Sequence, residues 1–349
     1  MADRKSKILL RRCNELALRA RGLTATNPNV GALVWSESES RILGEGWHRA
    51  YGEAHAEVNA IAKATRPDKS IQGQTIAVSL EPCNHYGKTP PCTETIIKHR
   101  LNKVVIDQLD PNSRMEGKSY PILQKAGLQV TPPANTDQGR EVIQPFHIGI
   151  KFHRPFIRIK MAMSSDGFIG QPGGQVKISN AISDRWVHRL RNETQSIMVG
   201  TLTALNDNPS LTSRHGNQNH PIRIVPDRQG VLHKDLKIFD SAGQVIVCTP
   251  KTNPGYPARL LDIDPHNTEQ MLHLLYKKCQ IGSILVEGGR KLVRSILAAG
   301  MWDEIILIEN TELELKTGVK VPDFPSHLLR YKIKFGTDTI NFIKNPESR

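Results

Sequence analysis

Short apolar runs alternate with amphipathic segments in the first part of the chain, a pattern typical of a domain built from strands and helices. Apolar side chains recur at helical spacing in some segments and form continuous runs in others. In chain order these segments predict a helix at 8–20, strands at 30–35 and 42–48, a helix at 56–64, a strand at 75–80, a helix at 92–99, a strand at 103–107, a helix at 120–126 and a short strand at 128–130. The order of these elements predicts an α/β domain.

The same alternation resumes after a polar stretch that begins at residue 132. From there to residue 153 the pattern predicts a linker region, with 146–152 as a docking helix or turn. The second half predicts strands at 155–162, 196–200, 222–225, 245–249, 283–287, 305–309 and 332–335, and helices at 184–193, 269–279 and 290–299. Because 349 residues exceed the size of a single core, we expect one α/β domain over 1–147 and a second over 153–349.

Composition is that of an ordinary soluble protein, with 38% hydrophobic and 23% charged residues. No apolar run reaches the length of a membrane span and no signal-peptide core opens the chain, so we expect a cytoplasmic protein without a membrane partner. Five cysteines fit a reducing compartment, and the apolar surroundings of Cys13, Cys248 and Cys279 predict packed thiols. The net charge of +13 is scattered, which favours small phosphorylated ligands or simple solubility over nucleic acid.

The strongest chemical signal lies between residues 52 and 92. His55, Cys83 and Cys92 offer one imidazole and two thiolates, a donor set that suits a tetrahedral Zn²⁺ whose fourth position is open to water. Glu57 follows His55 by two residues and is free to move protons. A His-x-Glu followed by Pro-Cys and a second Cys is typical of zinc deaminases, in which the metal activates water and the Glu carries a proton to the departing ammonia.

The predicted local structure fits this interpretation. A buried strand would deliver Cys83 at its end, and Pro91 suits the first position of a helix, so that Cys92 would lie at a helix N-terminus, where a thiolate is stabilised. Residues two apart do not share a face of a regular helix, so we expect His55 at the irregular start of its helix. A lone His-Ala-Glu is usually just part of a helix, and two cysteines nine residues apart can be buried thiols. Only the occurrence of both motifs in this order favours a metal site.

Gly288-Gly289 gives a second and weaker signal, between a predicted strand that ends at Glu287 and a predicted helix. Such a turn offers free backbone N–H groups and a positive helix end to a phosphate or pyrophosphate, although most turns of this kind are only turns. The segment is not a G-x-G-x-x-G fingerprint, so a classical dinucleotide fold is not supported.

Longer motifs extend over both halves of the chain. Those of the first half are TNPNVGA at 26–32, GEAHAE at 52–57, LEPCNHYGKTPPC at 80–92 and DPN at 110–112. Those of the second half are KMAMSSDG at 160–167, HRLR at 188–191, VG at 199–200, NPSLT at 208–212 with Arg214, and VEGG at 286–289. Together these motifs resemble the family of bacterial bifunctional riboflavin-biosynthesis deaminase–reductases over nearly the whole chain.

The resemblance implies an N-terminal cytidine-deaminase-like α/β/α domain followed by a dihydrofolate-reductase-like α/β domain. It also implies two successive reactions. The deaminase would remove the 2-amino group of 2,5-diamino-6-(5-phosphoribosylamino)pyrimidin-4-one, and the reductase would use NADPH to convert the ribosyl group to ribityl. The implied cofactors are therefore Zn²⁺ and NADPH, and the implied substrate is a phosphorylated pyrimidine.

Carried over by position, the resemblance implies that His55, Cys83 and Cys92 hold zinc and that Glu57 is the proton shuttle. The implied substrate contacts of the deaminase are Asn27, His48, Lys88, Asp110 and Asn112. The implied cofactor contacts of the reductase are Ala162, Lys177, Thr203 and Gly289, and its implied substrate contacts are Arg191, Asp207, Leu211, Arg214 and Glu287. The chemistry agrees, because a lysine offers a point charge to a phosphate and arginines suit a ribose phosphate.

Two other functions stay open on sequence grounds. A nucleic-acid deaminase acting on tRNA or single-stranded bases usually carries Pro-Cys-x-x-Cys, whereas eight residues separate the two cysteines here. A monofunctional deaminase whose second domain is not catalytic is the other alternative. We expect the bifunctional enzyme, acting without nucleic acid and assembled as a homo-oligomer.

Overall fold

A computed structural model of the chain describes residues 3–66, 70–87, 89–171, 176–213, 220–240, 243–252 and 254–348. The chain divides into two compact units, Met1–Phe152 and His153–Arg349. None of the helices in these described ranges is both long enough and apolar enough to cross a membrane.

The first unit consists of one sheet with helices packed against it. Its elements are α1 (Arg4–Ala17), β1 (Gly31–Ser36), β2 (Arg41–Trp47), α2 (Ala56–Ala64), β3 (Thr75–Leu80), α3 (Cys92–Lys98), β4 (Lys103–Gln108), α4 (Ser119–Lys125), β5 (Gln129–Val130) and α5 (Asp137–Phe152). The strand order is β2-β1-β3-β4-β5, with β1 antiparallel to both neighbours and β3, β4 and β5 parallel. Segments that follow β3 and β4 therefore start at the same edge of the sheet.

Two glycines of β2 allow α2 to lie directly on the sheet. A Cβ atom added to Gly44 would come within 2.4 Å of the Ala60 carbonyl oxygen, and one added to Gly46 within 2.4 Å of the Ala56 carbonyl oxygen. Any side chain at either position would push the helix away, because backbone atoms cannot move aside as a flexible side chain can. This close contact fixes the amino end of α2, where the His-x-Glu motif lies.

The second unit is built on a larger, mostly parallel sheet. Its elements are β6 (Phe156–Ser164), α6 (Ala181–Asn192), β7 (Ser196–Met198), α7 (Thr201–Asp207), β8 (Ile222–Pro226), β9 (Val245–Thr249), β10 (Arg259–Asp262), α8 (Thr268–Cys279), β11 (Ser283–Val286), α9 (Arg290–Ala298), β12 (Glu304–Asn310), β13 (Leu329–Phe335) and β14 (Asp338–Lys344). The strand order is β10-β9-β8-β7-β11-β6-β12-β14-β13. All pairs from β10 to β12 are parallel, and β14 is antiparallel to both of its neighbours.

The predicted linker is helical over most of its length: the helix or turn predicted at 146–152 is confirmed as the carboxyl-terminal part of a helix that begins earlier, at Asp137. Most of it is the 16-residue helix α5, which packs against α1, β3 and β4 and buries Val142, Ile143 and Ile148. Pro145 lies inside this helix. A proline at an interior position costs about 3 kcal/mol of helix propensity, and apolar burial on the sheet outweighs that cost here.

Three elements of the second unit have no counterpart among the predicted ones: α7, β10 and β14. The other predicted helices and strands form, with ends that differ by a few residues. Cys13, Cys248 and Cys279 are buried free thiols, which confirms the prediction that they pack in the cores.

Candidate active sites

Three elements of the first unit bring together the side chains of the predicted metal site. His55 is the N-cap residue of α2 in an extended conformation, Cys83 follows the end of β3, and Cys92 opens α3 with Pro91 as its N-cap. The His55 Nδ1, Cys83 Sγ and Cys92 Sγ atoms all lie within 4.8 Å of one another. Among the described residues this is the one group of His, Cys, Asp and Glu side chains with metal-ligand geometry.

The two thiols and the imidazole are in direct contact with one another. The His55 Nδ1 atom is 3.3 Å from Cys92 Sγ and 3.5 Å from Cys83 Sγ, and the Cys92 N–H donates to Cys83 Sγ at 3.3 Å. The hydrogen bond between the two thiols is the main cause that lowers the pKa of Cys83, although burial opposes it. The same hydrogen bond, together with burial, raises the pKa of Cys92. The Cys92 thiol and the His55 imidazole thus both favour the thiolate form of Cys83.

This donor set fits a zinc ion. One nitrogen and two sulfurs converging on a common point are the ligands of catalytic zinc centres that keep a fourth position for water or substrate. A bound Zn²⁺ would hold both sulfurs as thiolates, because its charge replaces the proton that the pair otherwise shares. His55, Cys83 and Cys92 are therefore the residues that would hold it.

Glu57 lies in the first turn of α2 and is 3% exposed. Burial is the main cause that raises its pKa to about 7, and the Cys83 thiolate adds to the effect. A carboxyl group with a pKa near neutrality can both accept and return a proton at physiological pH. It has the position and the proton affinity of a general acid–base.

Asn27 and His48 adjoin the metal group. The ring of His48 packs edge-on against that of His55 at 5.5 Å, and its Nε2 atom is 3.5 Å from Asn27 Nδ2. Its Nδ1 atom is 3.3 Å from the Ala54 carbonyl oxygen. Burial lowers the pKa of His48, so this ring is neutral at pH 7 and can serve as a hydrogen-bonding group.

Asp110 and Asn112 lie in one loop that follows β4. The Asn112 N–H donates to Asp110 Oδ1 at 2.8 Å, so the two residues form a local turn. Burial is the main cause that raises the pKa of Asp110 to about 6, and the negative charge of nearby Glu81 contributes. Asp110 and Asn112 therefore lie at the same edge of the sheet as Cys83.

Glu81 is a residue of this site to which sequence reasoning assigned no role. Its carboxylate is 5% exposed and accepts from the N–H groups of Asp110 at 3.3 Å, Gly117 at 2.9 Å and Ser119 at 3.0 Å. It also accepts from the Ser119 hydroxyl at 2.7 Å. The available signal was an acidic residue directly after a buried strand, where a charge needs partners.

Glu287 is the centre of the second site, at the carboxyl end of β11. Arg191 of α6 donates to it from Nε at 2.6 Å and from Nη2 at 2.8 Å, and Lys160 Nζ lies 3.6 Å from it. Burial alone would raise the pKa of Glu287, but Lys160 and Arg191 outweigh burial and lower it to about 2. Lys160 had no assigned role, and the signal was a charged residue within the apolar run of β6.

Thr203 lies against the glycine turn. A Cβ added to Gly289, whose φ is +88°, would be 3.3 Å from Thr203 Oγ1 and 3.4 Å from the Gly200 nitrogen. The turns after β7 and β11 thus approach each other closely, and the nine-residue helix α9 begins at Arg290. Free N–H groups and a positive helix end in a narrow cradle fit the pyrophosphate of a dinucleotide.

The other predicted reductase residues that the structure describes lie in several elements of the second unit. Ala162 follows Lys160 by two residues on β6, so both side chains are on one face. Asp207 ends α7, Leu211 is buried with φ +51°, and Lys177 forms a 2.9 Å ion pair with Asp184. Lys88 and Arg214 lie outside the described residues.

Sequence profiles of two known families match the chain. Residues 3–108 match the cytidine and deoxycytidylate deaminase zinc-binding region, and residues 155–310 match the RibD C-terminal domain. These matches, together with the structural likeness below, confirm the predicted fold class: a cytidine-deaminase-like unit followed by a reductase unit of the dihydrofolate-reductase-like fold.

Similar proteins match most of the length of the chain. The riboflavin biosynthesis protein RibD of Aquifex aeolicus is 32% identical over 346 residues, which are 94% of this chain and 95% of the relative. RibD of Escherichia coli is 33% identical over 85% of both chains. The crystal structure of a diaminohydroxyphosphoribosylaminopyrimidine deaminase/5-amino-6-(5-phosphoribosylamino)uracil reductase from Thermotoga maritima is 30% identical, with a TM-score of 0.89 over 97% of this chain and 98% of that one. RibD of Acinetobacter baumannii is 29% identical, with a TM-score of 0.85 and the same coverage.

Proposed function

The chain belongs to the RibD family, and we propose how the residues of its two units carry out the two reactions of that family. It is a bifunctional enzyme of riboflavin biosynthesis, a zinc-dependent deaminase and an NADPH-dependent reductase. Its substrate is a small molecule, for which we propose 2,5-diamino-6-(5-phosphoribosylamino)pyrimidin-4-one. The observation that carries the proposal is the convergence of one imidazole and two thiols beside a buried carboxyl group of raised pKa.

In the deaminase, His55, Cys83 and Cys92 would hold zinc, which would supply the Lewis acidity that activates water near neutral pH. Glu57 accepts the proton of the attacking water and returns it to the leaving ammonia. Its burial keeps its pKa near 7, so neither transfer is strongly uphill. We assign the pyrimidine edge to the amide, imidazole and carboxyl groups of Asn27, His48, Asp110 and Asn112, and the phosphate to Lys88.

In the reductase, NADPH would supply the hydride that reduces the ribosyl group to ribityl, and a proton from water would complete the reduction. Gly289 and Thr203 would contact the pyrophosphate of NADPH, and we assign Ala162 and Lys177 as the contacts of its nicotinamide half. Glu287 stays ionised and accepts hydrogen bonds from the sugar hydroxyls, and we assign Asp207 and Leu211 as further substrate contacts. Arg214 binds the phosphate of the substrate.

For Arg191 we propose a role that differs from direct phosphate binding. Both its Nε and Nη2 atoms are engaged by Glu287. It therefore acts through Glu287 as a positioning residue: it fixes the carboxylate and keeps it charged. An Arg that already holds a buried carboxylate in a bidentate pair has little freedom left to move to a second anion.

Supplying the diaminopyrimidine ribotide with and without NADPH, and following ammonia release and NADPH oxidation separately, tests the proposal. We expect ammonia in both cases and NADPH oxidation that lags behind it, because the deaminated product is the substrate for reduction. Ammonia release from tRNA or single-stranded DNA but not from the ribotide would contradict the proposal. Deamination without any NADPH oxidation would instead support a non-catalytic second unit.

We further propose a cytoplasmic homo-oligomer, with the deaminase domain at 1–147 and the reductase domain at 153–349. An exposed sheet edge supports oligomerisation. The edge strand β13 presents Leu329, Tyr331 and Ile333 at 38%, 48% and 36% exposure, and unpaired edges of this kind pair readily with another chain. Light scattering of the purified protein tests this; a monomeric mass at micromolar concentration would contradict it.

A further inference from the structure

Two loop segments of the second unit are joined to each other at the edge of the sheet that carries the reductase residues. The β6 segment, residues 165–171, follows β6, and the β12 segment, residues 311–321, follows β12. Strand β6 lies between β11 and β12 and is parallel to both. Both segments therefore start at the edge where Glu287 follows β11, and they border its site.

Main-chain hydrogen bonds connect the two segments. The Ile169 N–H donates to the Val319 carbonyl oxygen at 2.9 Å, and the Val321 N–H donates to the Gly167 carbonyl oxygen at 3.0 Å. Such pairs between antiparallel segments are those of a short β-ladder, although neither segment is a strand of the main sheet. The backbone of one segment is thus supported by the backbone of the other.

A glycine allows the two segments to approach this closely. Gly318 has a φ of +147°, and a Cβ added to it would be 2.3 Å from the Gly170 carbonyl oxygen. A backbone carbonyl cannot move aside as a flexible side chain can, so any side chain at this position would push the segments apart. Their separation is therefore set by direct backbone contact.

Asp166 adds side-chain contacts between the segments. Its Oδ1 atom accepts from the Ser164 hydroxyl at 2.5 Å and from the Leu315 N–H at 3.2 Å, and its Oδ2 atom accepts from the Lys316 N–H at 2.7 Å. Its carbonyl oxygen accepts from Lys320 Nζ at 2.8 Å. The Ser164 hydroxyl and the two N–H groups lower the pKa of Asp166, so a charged carboxylate holds the start of both segments.

Asn310 makes a second connection farther along the chain. This last residue of β12 donates from Nδ2 to the Ile178 carbonyl oxygen at 2.7 Å, and its Oδ1 atom accepts from the Leu313 N–H at 3.1 Å. Ile178 directly follows Lys177, which we assigned above to the nicotinamide half of NADPH. The chain that carries Lys177 is therefore attached to the β12 side at Asp166 before it and at Ile178 after it.

We propose that Asp166 and Asn310 are positioning residues of the reductase: they fix the chain that carries Lys177 and thereby set the nicotinamide ring against the sugar carbon that is reduced. This inference rests on the reductase function proposed above. Hydride transfer needs the two carbon atoms in close contact, and a displacement of about 1 Å can cost about a hundredfold in rate. The dense contacts between the two segments prevent such a displacement.

A single turnover of reduction tests the proposal. The full-length protein is loaded with the already deaminated substrate and mixed with NADPH, and the rate of NADPH oxidation is compared with the Kd of NADPH from a fluorescence titration. Asp166→Ala and Asn310→Ala remove the side-chain contacts, and Gly318→Ala separates the segments without changing either side chain. Glu314→Ala is the matched control, because it removes an exposed acidic side chain of the β12 segment.

We expect the first turnover to slow about ten- to hundredfold in these three variants, while the Kd of NADPH changes less than about threefold because the pyrophosphate contacts are intact. Retained NADPH binding also shows that the second unit is folded. Asp166→Asn keeps one acceptor oxygen and should recover part of the rate. Glu314→Ala should react as the wild type does.

Three results would overturn the positioning role: a lower thermal midpoint with an unchanged first turnover, equal slowing in the Glu314→Ala control, or a loss of NADPH affinity that accounts for the whole effect. The first would assign Asp166 and Asn310 to folding alone, and the last would assign them to cofactor binding. Wild-type protein that oxidises no NADPH with the deaminated substrate would overturn the reductase function itself, and this inference with it.

Discussion

At the scale of single residues, Glu57 combines a buried carboxyl group with a pKa near 7, in the first turn of the helix that His55 caps. We expect Glu57→Gln to reduce deamination by about 10²–10⁴-fold, because glutamine fills the same volume but cannot carry a proton. Zinc content by elemental analysis should remain stoichiometric, since the three ligands are unchanged. Near-normal ammonia release in a zinc-loaded variant would refute the proton-shuttle role.

Arg191 and Glu287 form a buried ion pair, so removal of either side chain leaves the charge of the other without its main partner. Arg191→Ala leaves a buried carboxylate with Lys160 at 3.6 Å as its nearest remaining cation, so we expect the second unit to lose about 3–5 kcal/mol of unfolding free energy. NADPH oxidation should fail while ammonia release persists. Arg189→Ala is the control, because it breaks an exposed pair with Glu193 on the same helix and should cost less than about 1 kcal/mol. Similar losses in both variants would contradict this account.

The same pair predicts a dependence of stability on pH. The pKa of Glu287 lies at about 2 in the folded protein and is ordinarily 4.5. A lowered carboxyl pKa contributes stability that is fully present above pH 4.5 and is lost as the pH falls toward 2. Urea unfolding of wild type and Glu287→Gln between pH 3 and pH 7 should show a steeper loss on acidification in the wild type. Parallel curves for the two proteins would show that Glu287 is not held ionised by its partners.

At the scale of elements, Glu81 links the end of β3 to the loop that carries Asp110 and Asn112. We expect Glu81→Ala to raise the KM of deamination more than it lowers kcat, because the loop loses its anchor while the zinc ligands stay in place. The unpaired N–H groups of Gly117 and Ser119 should cost about 1–3 kcal/mol each. Steady-state kinetics with zinc content as a readout measures this.

Two further variants separate positioning from general destabilisation of the same loop. Glu81→Gln keeps one carbonyl acceptor and should recover part of the KM effect. Glu116→Ala, an exposed position in the loop, should behave as the wild type. Equal KM changes in the alanine variants at Glu81 and Glu116 would argue against the anchor.

The spacing of apolar residues was sufficient to predict most of the helices and strands, because buried strands and amphipathic helices each produce a characteristic pattern of apolar positions. It failed for the first part of α5, up to Pro145, where the proline and the polar residues before it suppress the helical signal and packing on β3 and β4 restores the helix. It also missed β10 and β14: β10 has only four residues, and only one of them, Leu261, is buried. Short elements such as α7 depend on tertiary contacts that no local pattern contains.

The spacing of the motifs likewise identified the residues of the metal group. Each of them lies at the end of a predictable element: His55 at the start of α2, Cys83 after the end of β3 and Cys92 at the start of α3. The roles of Glu81 and Lys160 depend on partners that are distant in sequence. Glu81 binds N–H groups of the loop after β4, and Lys160 of β6 lies beside Glu287 at the end of β11. Such contacts are set by topology, which the spacing of motifs does not specify.

At the scale of the whole molecule, each site is built within one compact unit. The metal group and Glu57 lie in Met1–Phe152, and the Arg191–Glu287 pair and the glycine turn lie in His153–Arg349. Each site is supported by its own sheet and its own buried carboxylate network. The two chemistries should therefore respond independently to a change that affects only one of them.

Removal of zinc provides that change. A chelator that takes the metal from His55, Cys83 and Cys92 should abolish ammonia release, because Glu57 then has no activated water to deprotonate. NADPH oxidation with the already deaminated substrate should continue at the wild-type rate, since Glu287 and the glycine turn make none of their contacts through the metal group. Re-addition of Zn²⁺ should restore ammonia release. A fall in NADPH oxidation in proportion to the zinc lost would show that the reductase depends on the metal, against the separation of sites argued here.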